Sequence, residues 1–308
     1  MIKKINLIIL LIFFTLSIKA HSENKVFLVY KINNQIITNV DVEYEKKYLV
    51  ALNNKLKSLS DEQLNIIAKE SLQREKIKKI ELERYYSLDQ SNQMLNTVVE
   101  DLYRKLEFKN KENFEIYLNE YGLEINDIIK KIVIENTWNQ LVYSLFKDQV
   151  YIDKPKLKKK INKKKILNKS YLLSEIVFEN IKQELQQENI KRIKISINEI
   201  GFENTANLFS ISESKKFGGK IGWIEERLLS DVLVMSIKNL KISEHTMPIS
   251  MGANSVILKV EDVKIENLEI DQDKELKKLV QFETNKQLER FSLIHFNRIK
   301  LNTIIDVL

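Results

Sequence analysis

The chain has 308 residues, 44% hydrophobic and 30% charged, with 50 Lys and Arg against 43 Asp and Glu and a formal net charge of +7. That apolar content excludes an intrinsically disordered chain, and the length admits two domains. Acids are interleaved with the lysines over most of the chain, which argues against a nucleic-acid-binding surface, and the absence of cysteine excludes disulfide staples.

Residues 1–20, MIKKINLIILLIFFTLSIKA, place Lys3 and Lys4 before the apolar stretch Leu7–Ile18 and end at small residues, Ala20 and then Ser22. This is the layout of a secretory signal peptide, and the stretch falls short of the roughly 20 residues a membrane span needs. Cleavage is expected, with 1–22 as the signal; a retained anchor is the alternative. Without residues 1–20 the chain loses Lys3, Lys4 and Lys19, and its formal charge falls to +4.

Next, VFLVYKINNQIITNVDVEYEKKYLV (26–50) reads as a hairpin turning at Asn33-Asn34, followed by a helix from about Asn39 to Leu52. Thr38 and Asp41 have capping-box spacing at its start. From Ser60 to Val150 apolar residues recur at helical spacing, first Leu64, Ile67, Ala68 and Leu72, later Ile128, Ile132, Trp138, Leu141 and Leu145. The spacing predicts a helical bundle, with Ser60 and Asn110 as N-caps and Gly122 ending a helix in left-handed geometry.

The run Lys154–Lys169 holds nine lysines and no acid and reads as a solvated helix or linker. A strand over 170–178, a polar helix near 180–193, a short segment through FENTANLFS, a glycine loop, a helix over 226–237 and a strand over 254–265 predict a compact α+β unit. A long amphipathic helix from Asp271 and a terminal strand close the chain.

Six glycines occur in all, and Gly218, Gly219 and Gly222 fall within five residues of one another. The backbone there is expected to need positive φ or a close approach. A phosphate loop would want GK[ST] or GxGxxG spacing, which is absent. His21, His245 and His295 share no metal-ligand spacing, and neither HExxH nor GxSxG occurs, so no metal and no cofactor is expected. His295, among Leu293, Ile294 and Phe296, is expected to pack in the interior.

The loop FSISESKKFGGKIGWI, with LLSEIVF before it and NSVILKVED after it, resembles the parvulin (PpiC-type) peptidyl-prolyl isomerase domain. Upstream, VYKINNQIITNVDVE, SDEQL and the stretch over 121–132 resemble the N-terminal domain of SurA-type periplasmic chaperones, and ERFSLIHFNRIKLNTIIDVL resembles the segment that returns to complete that domain. The resemblance implies a mostly α fold with an α+β part, divided into 23–153 (chaperone domain), 154–169 (basic linker), 170–266 (parvulin-like domain) and 267–308 (helix and strand packing on the N-terminal domain). It also implies a periplasmic location.

Carried over by position, the family's two histidines and its Cys or Asp read Glu175, Val256 and Ser212, so all three have departed from the pattern. Glu175 and Ser212 are thus degenerate catalytic positions. Leu229, Leu233, Trp223 and Ile224 are the implied peptide-contacting residues, and Gly218, Gly219, Gly222 and Gly252 shape the loops. Two readings follow from the resemblance. One is a monomeric chaperone for unfolded outer-membrane proteins or other exported polypeptides, with membrane contact only through an uncleaved signal; the other is an active prolyl isomerase.

Overall fold

In the computed structural model, residues 25–88, 93–161, 167–180, 183–267 and 272–308 are described. The expected signal peptide and His21 lie outside them. The architecture is mostly α with an α+β part. Among the described residues no helix is long and apolar enough to cross a membrane.

The first body opens with β1 (Leu28–Ile32) and β2 (Gln35–Thr38), an antiparallel hairpin turning through Asn33 at φ 50°. Thr38 then caps α1 (Asn39–Leu52): its hydroxyl accepts from the Asp41 N–H, while the Asp41 carboxylate accepts from the Thr38 N–H. Ser60 makes the same reciprocal cap with Gln63 on α2 (Asp61–Leu82). α3 (Gln93–Lys105), α4 (Lys111–Glu120, capped by Asn110) and α5 (Ile125–Phe146) complete the bundle, and Gly122 ends α4 at φ 67°.

α6 (Lys154–Ile161) occupies the first half of the basic stretch. Its Leu157 and Ile161 are buried against Leu279 of α9 (Gln272–Leu301), which gives the stretch an apolar underside as well as a solvated face.

The chain's two ends share one interior. β7 (Ile305–Val307) adds to β1 in a three-stranded sheet of order β2-β1-β7, with Tyr30 opposite Val307 and Ile32 opposite Ile305. Phe296 of α9 joins the core formed by Ile32, Leu49, Leu72, Phe114 and Trp138. The Trp138 indole N–H donates to Ser292 Oγ at 2.8 Å, and its ring stacks on buried His295 at 5.5 Å between centroids.

The second body is a four-stranded antiparallel sheet of order β4-β3-β6-β5. β3 (Leu167–Glu179) and β6 (Asn254–Asn267) pair along their whole length, β4 (Lys220–Glu225) lies at one edge and the short β5 (Ile249–Ser250) at the other. α7 (Gln183–Phe209), bent at Gly201 where φ is 83°, packs Ile193 and Phe202 against Ile176, Phe178 and Ile257 on one face. α8 (Asp231–Ile237), capped by Ser230, packs Ile237 with Leu229 against Tyr171, Leu173 and Val260 on the other.

Four expected features differ in the structure. FENTANLFS is helical, the second limb of α7, because Phe202 and Ala206 at i,i+4 spacing bury one face of it. The helix expected over 226–237 begins only at Asp231, after a 3₁₀ turn over Glu226–Leu228. β4 was expected as loop: it is a six-residue edge strand interrupted by Gly222, and edge strands carry the weakest alternation signal. Leu145, expected in the core, is exposed.

Candidate functional site

The site is built on β3 and the turn that follows α7. Glu175 projects from β3 on the same sheet face as Val177, whose partner on β6 is Val256. From Ser210 the chain turns through a 3₁₀ segment, Glu213–Phe217, and three serines shape that turn. Ser210 Oγ accepts from the N–H groups of Val177 (3.1 Å) and Ser212 (3.3 Å). Ser212 caps the segment, with its Oγ accepting from the Ser214 N–H at 3.3 Å.

The hydroxyls of Ser212 and Ser214 both donate to Glu175 Oε1, at 2.6 and 3.0 Å. Glu175 and Ser212, which the resemblance implied as degenerate catalytic positions, therefore meet in one hydrogen-bonded cluster. The glycines explain how: Gly218 and Gly219 take φ of 68° and 79°, and a β-carbon on Gly219 would lie 2.2 Å from the Glu175 carbonyl oxygen. Only glycine lets the loop press that closely onto β3 while Glu175 N–H donates to the Gly219 carbonyl at 2.8 Å.

The third family position, Val256, is a buried core residue beside Leu258. His245 lies on a different segment, bridged to Lys259, and His295 is in the other body's core. With no imidazole in the cluster, a serine nucleophile has no base of the usual kind, and its hydroxyl protons are committed to the carboxylate. Among the described residues no group of three metal-ligating side chains occurs.

Of the expected peptide-contacting residues, Leu229 is buried and Leu233 and Ile224 are half-buried in the α8-side core. Trp223 is 43% exposed on β4, with the Lys264 ammonium 4.9 Å from its ring centre. Gly222 and Gly252 have open space where a side chain would stand, and each holds positive φ.

The serine turn is also where the two bodies join. Glu213 Oε1 accepts from Arg74 Nη2 (2.7 Å) and Lys78 Nζ (2.9 Å), both on α2. Lys78 also donates to Glu135 Oε2 on α5 at 2.6 Å, and Lys216 from the turn donates to Glu135 Oε1 at 2.8 Å. Lys131 continues the network to Glu45 at 2.7 Å and to Glu75. Lys215–Glu70 and Lys55–Glu203 pairs flank it, and Lys105 caps the Phe217 ring.

In this seam Arg74, Lys78, Lys131 and Lys216 balance Glu45, Glu75, Glu135 and Glu213, and the Lys78 side chain is only 1% exposed. Burial pushes the Glu213 carboxyl up, but Lys78, Arg74 and Lys216 outweigh it and hold it well below the usual range. Burial likewise opposes the Lys216 charge, and Glu135 and Glu213 more than compensate.

Glu175 differs: among the described residues its carboxylate has the Ser212 and Ser214 hydroxyls as partners and no ion pair. Burial pushes its carboxyl up, and the Ser212 and Ser214 bonds offset only part of that. On α9, Glu289 is pushed up by burial and by the charges of Glu175 and Glu213, so α9 also faces this cluster. A carboxyl whose folded pKa lies above its unfolded one stabilises the fold most below the unfolded value, and that contribution is lost as pH rises through the folded one. Glu175→Gln is therefore expected to be more stable than wild type at about pH 8, with the difference vanishing near about pH 4. Urea midpoints at the two pH values check this; equal gaps at both would refute it.

No sequence motif marked Arg74, Lys78, Glu135, Glu213 or Lys216. The available signal was helical phase: Lys78 stands eleven residues after Ile67, three turns on and on the same buried face of α2.

No family model matches the chain and no curated protein matches it. Among solved structures it is similar to a PpiC-type peptidyl-prolyl cis-trans isomerase domain, with 20% identity and a TM-score of 0.30, over 33% of this chain and 98% of that one. It is also similar to the peptidylprolyl isomerase PrsA of Bacillus anthracis, with 17% identity and a TM-score of 0.32, over 73% and 95% of the two chains. For a SurA-like chaperone of Campylobacter jejuni the values are 15% identity and a TM-score of 0.28, over 88% and 96%.

Proposed function

We propose that this chain is an exported, periplasmic chaperone that holds unfolded outer-membrane proteins by contact, and that its parvulin-like unit serves as a docked structural module with little prolyl isomerase activity. The observation that carries this reading is the state of the Glu175–Ser212 cluster. The positions at which a parvulin bears histidines hold Glu175 and Val256, and the serine turn beside Glu175 is bound into the bundle through Glu213 and Lys216. The hydroxyls beside Glu175 are committed to its carboxylate, and ion pairs to the bundle hold the turn that carries them in place.

Apolar surface for clients lies elsewhere. Phe146 of α5 stacks on Phe291 of α9 at 5.0 Å, and Tyr143 and Ile294, three residues along each helix, are both more than half exposed. This strip borders the junction between bundle and returning helix. An unfolded β-barrel precursor offers strand edges and apolar side chains that aggregate unless covered, and a shallow strip covers them reversibly.

The test is light scattering of an unfolded β-barrel protein diluted from denaturant without nucleotide. Suppression of aggregation at equimolar to several-fold excess of this protein, weakened by Tyr143→Ser with Ile294→Ser, is expected. Unchanged aggregation at several-fold excess would refute the reading.

A further inference from the structure

The basic stretch has no part in the site above, and its placement gives it a separate use. α6 lies against the start of α9 because Leu157 and Ile161 pack on Leu276, Leu279 and Val280. Burying those residues turns the lysines outward: Lys154, Lys156, Lys158 and Lys159 on α6 and Lys277 and Lys278 on α9 are all exposed. Helices in contact lie about 8–10 Å apart, so the six charges stand on the solvent sides of one packed helix pair.

Acids near these lysines are few, and one of them, Asp273 in the first turn of α9, is exposed. Asp153 is engaged as the cap of α6, accepting from the Lys156 N–H at 3.0 Å, and Glu275 is buried and paired with Arg227. Tyr151, immediately before α6, is 76% exposed. Its backbone is held to α9 by two hydrogen bonds with Gln287, at 3.0 and 2.7 Å, which anchors the residue beside α6 with its ring in solvent.

We propose that the α6–α9 face binds the surface of an anionic phospholipid membrane. Charge complementarity selects a negative partner, and three features favour a lipid surface over an acidic polypeptide. The cations are all lysines, whose compact, strongly hydrated charges suit a diffuse anionic plane, whereas paired recognition of carboxylates favours the arginine fork. The groove between the helices is filled by the leucine cluster, leaving no channel to seat an extended chain. A tyrosine at the margin of a basic face matches the aromatic preference for the headgroup region. Clusters of four to eight lysines on a helical face are the pattern that anionic bilayers attract.

The experiment is co-sedimentation of the full chain with vesicles of phosphatidylcholine alone and of phosphatidylcholine with phosphatidylglycerol. The neutral vesicles report any binding by the apolar N-terminal segment. Partitioning onto the anionic vesicles is expected to be tenfold or more stronger, to fall steeply as salt is raised, and to drop to the neutral level when the six lysines are changed to glutamine. A second variant with the same six lysines changed to arginine keeps the charge and should keep the binding, which separates loss of charge from loss of fold. Equal binding to both vesicle types, or binding unaffected by the glutamine changes, would overturn the proposal. So would displacement of the protein from anionic vesicles by poly-glutamate at an equal charge concentration, which would assign the face to acidic polypeptides. None of these readouts depends on client holding.

Discussion

Trp138→Ala is expected to lower the unfolding free energy by about 3–5 kcal/mol, the range for deleting a large aromatic from a closed core. Trp138 is 1% exposed and ties the bundle to the returning helix: it stands on α5, stacks on His295 and bonds to Ser292, both from α9. The substitution leaves a cavity and strips Ser292 of its partner. It also removes the surface that α9 uses to return to the bundle, so the loss should spread to the β1–β7 pairing through Ile305 and Val307. Urea unfolding gives the magnitude, and amide exchange gives the location. Protection lost in α9 and β7 together with the bundle is the expected pattern; loss confined to α9 would mean that the two ends do not form one cooperative unit.

Lys78→Ala is expected to cost about 3 kcal/mol, toward the lower end for breaking a buried ion pair because its two partners retain other cations. The ammonium stands between Glu135 and Glu213 and 5.5 Å from the Trp138 ring centre. Removing it leaves Arg74 and Lys216 to balance both carboxylates. The distinguishing readout is amide exchange across the serine turn and the start of α7's second limb, which should rise more than exchange within α1 or α4. Lys78→Met, which keeps the apolar stem over Trp138, should recover part of the stability while leaving the seam loosened. A methionine variant equal to wild type in exchange at the turn would show that the charge does not hold the bodies together.

Much of this fold could be read before any coordinates. Thr38, Ser60 and Asn110 announced helix starts through capping chemistry that acts within four residues, and Gly122 announced an end in the same way. The close approach at Gly219 was legible because glycines are rare in this chain and crowd into one loop. The resemblance placed Glu175 and Ser212 at degenerate catalytic positions, but the hydrogen bond between them was not foreseen.

The seam was not legible, for a physical reason. Its bundle and turn partners stand 56 to 139 residues apart, and each alone is an ordinary lysine, arginine or glutamate in a chain with 93 charged residues. Only tertiary packing decides which of those become buried. The phase of Lys78 on α2 was the one local sign, since a lysine in a core-facing register requires a buried partner. Edge strand β4 escaped notice because its glycine and half-exposed pattern suit a loop equally well.

In the proposed function this protein works by covering its clients, with the parvulin-like unit closed to peptide chemistry. The most direct measurement is a protease-coupled isomerisation assay on an X-Pro peptide, run with the wild-type chain at enzyme-like concentrations. The expected result is the uncatalysed rate, tens to hundreds of seconds at room temperature, with or without the protein. Acceleration that disappears when Leu233 is changed to alanine would contradict the account and make the chain a working isomerase.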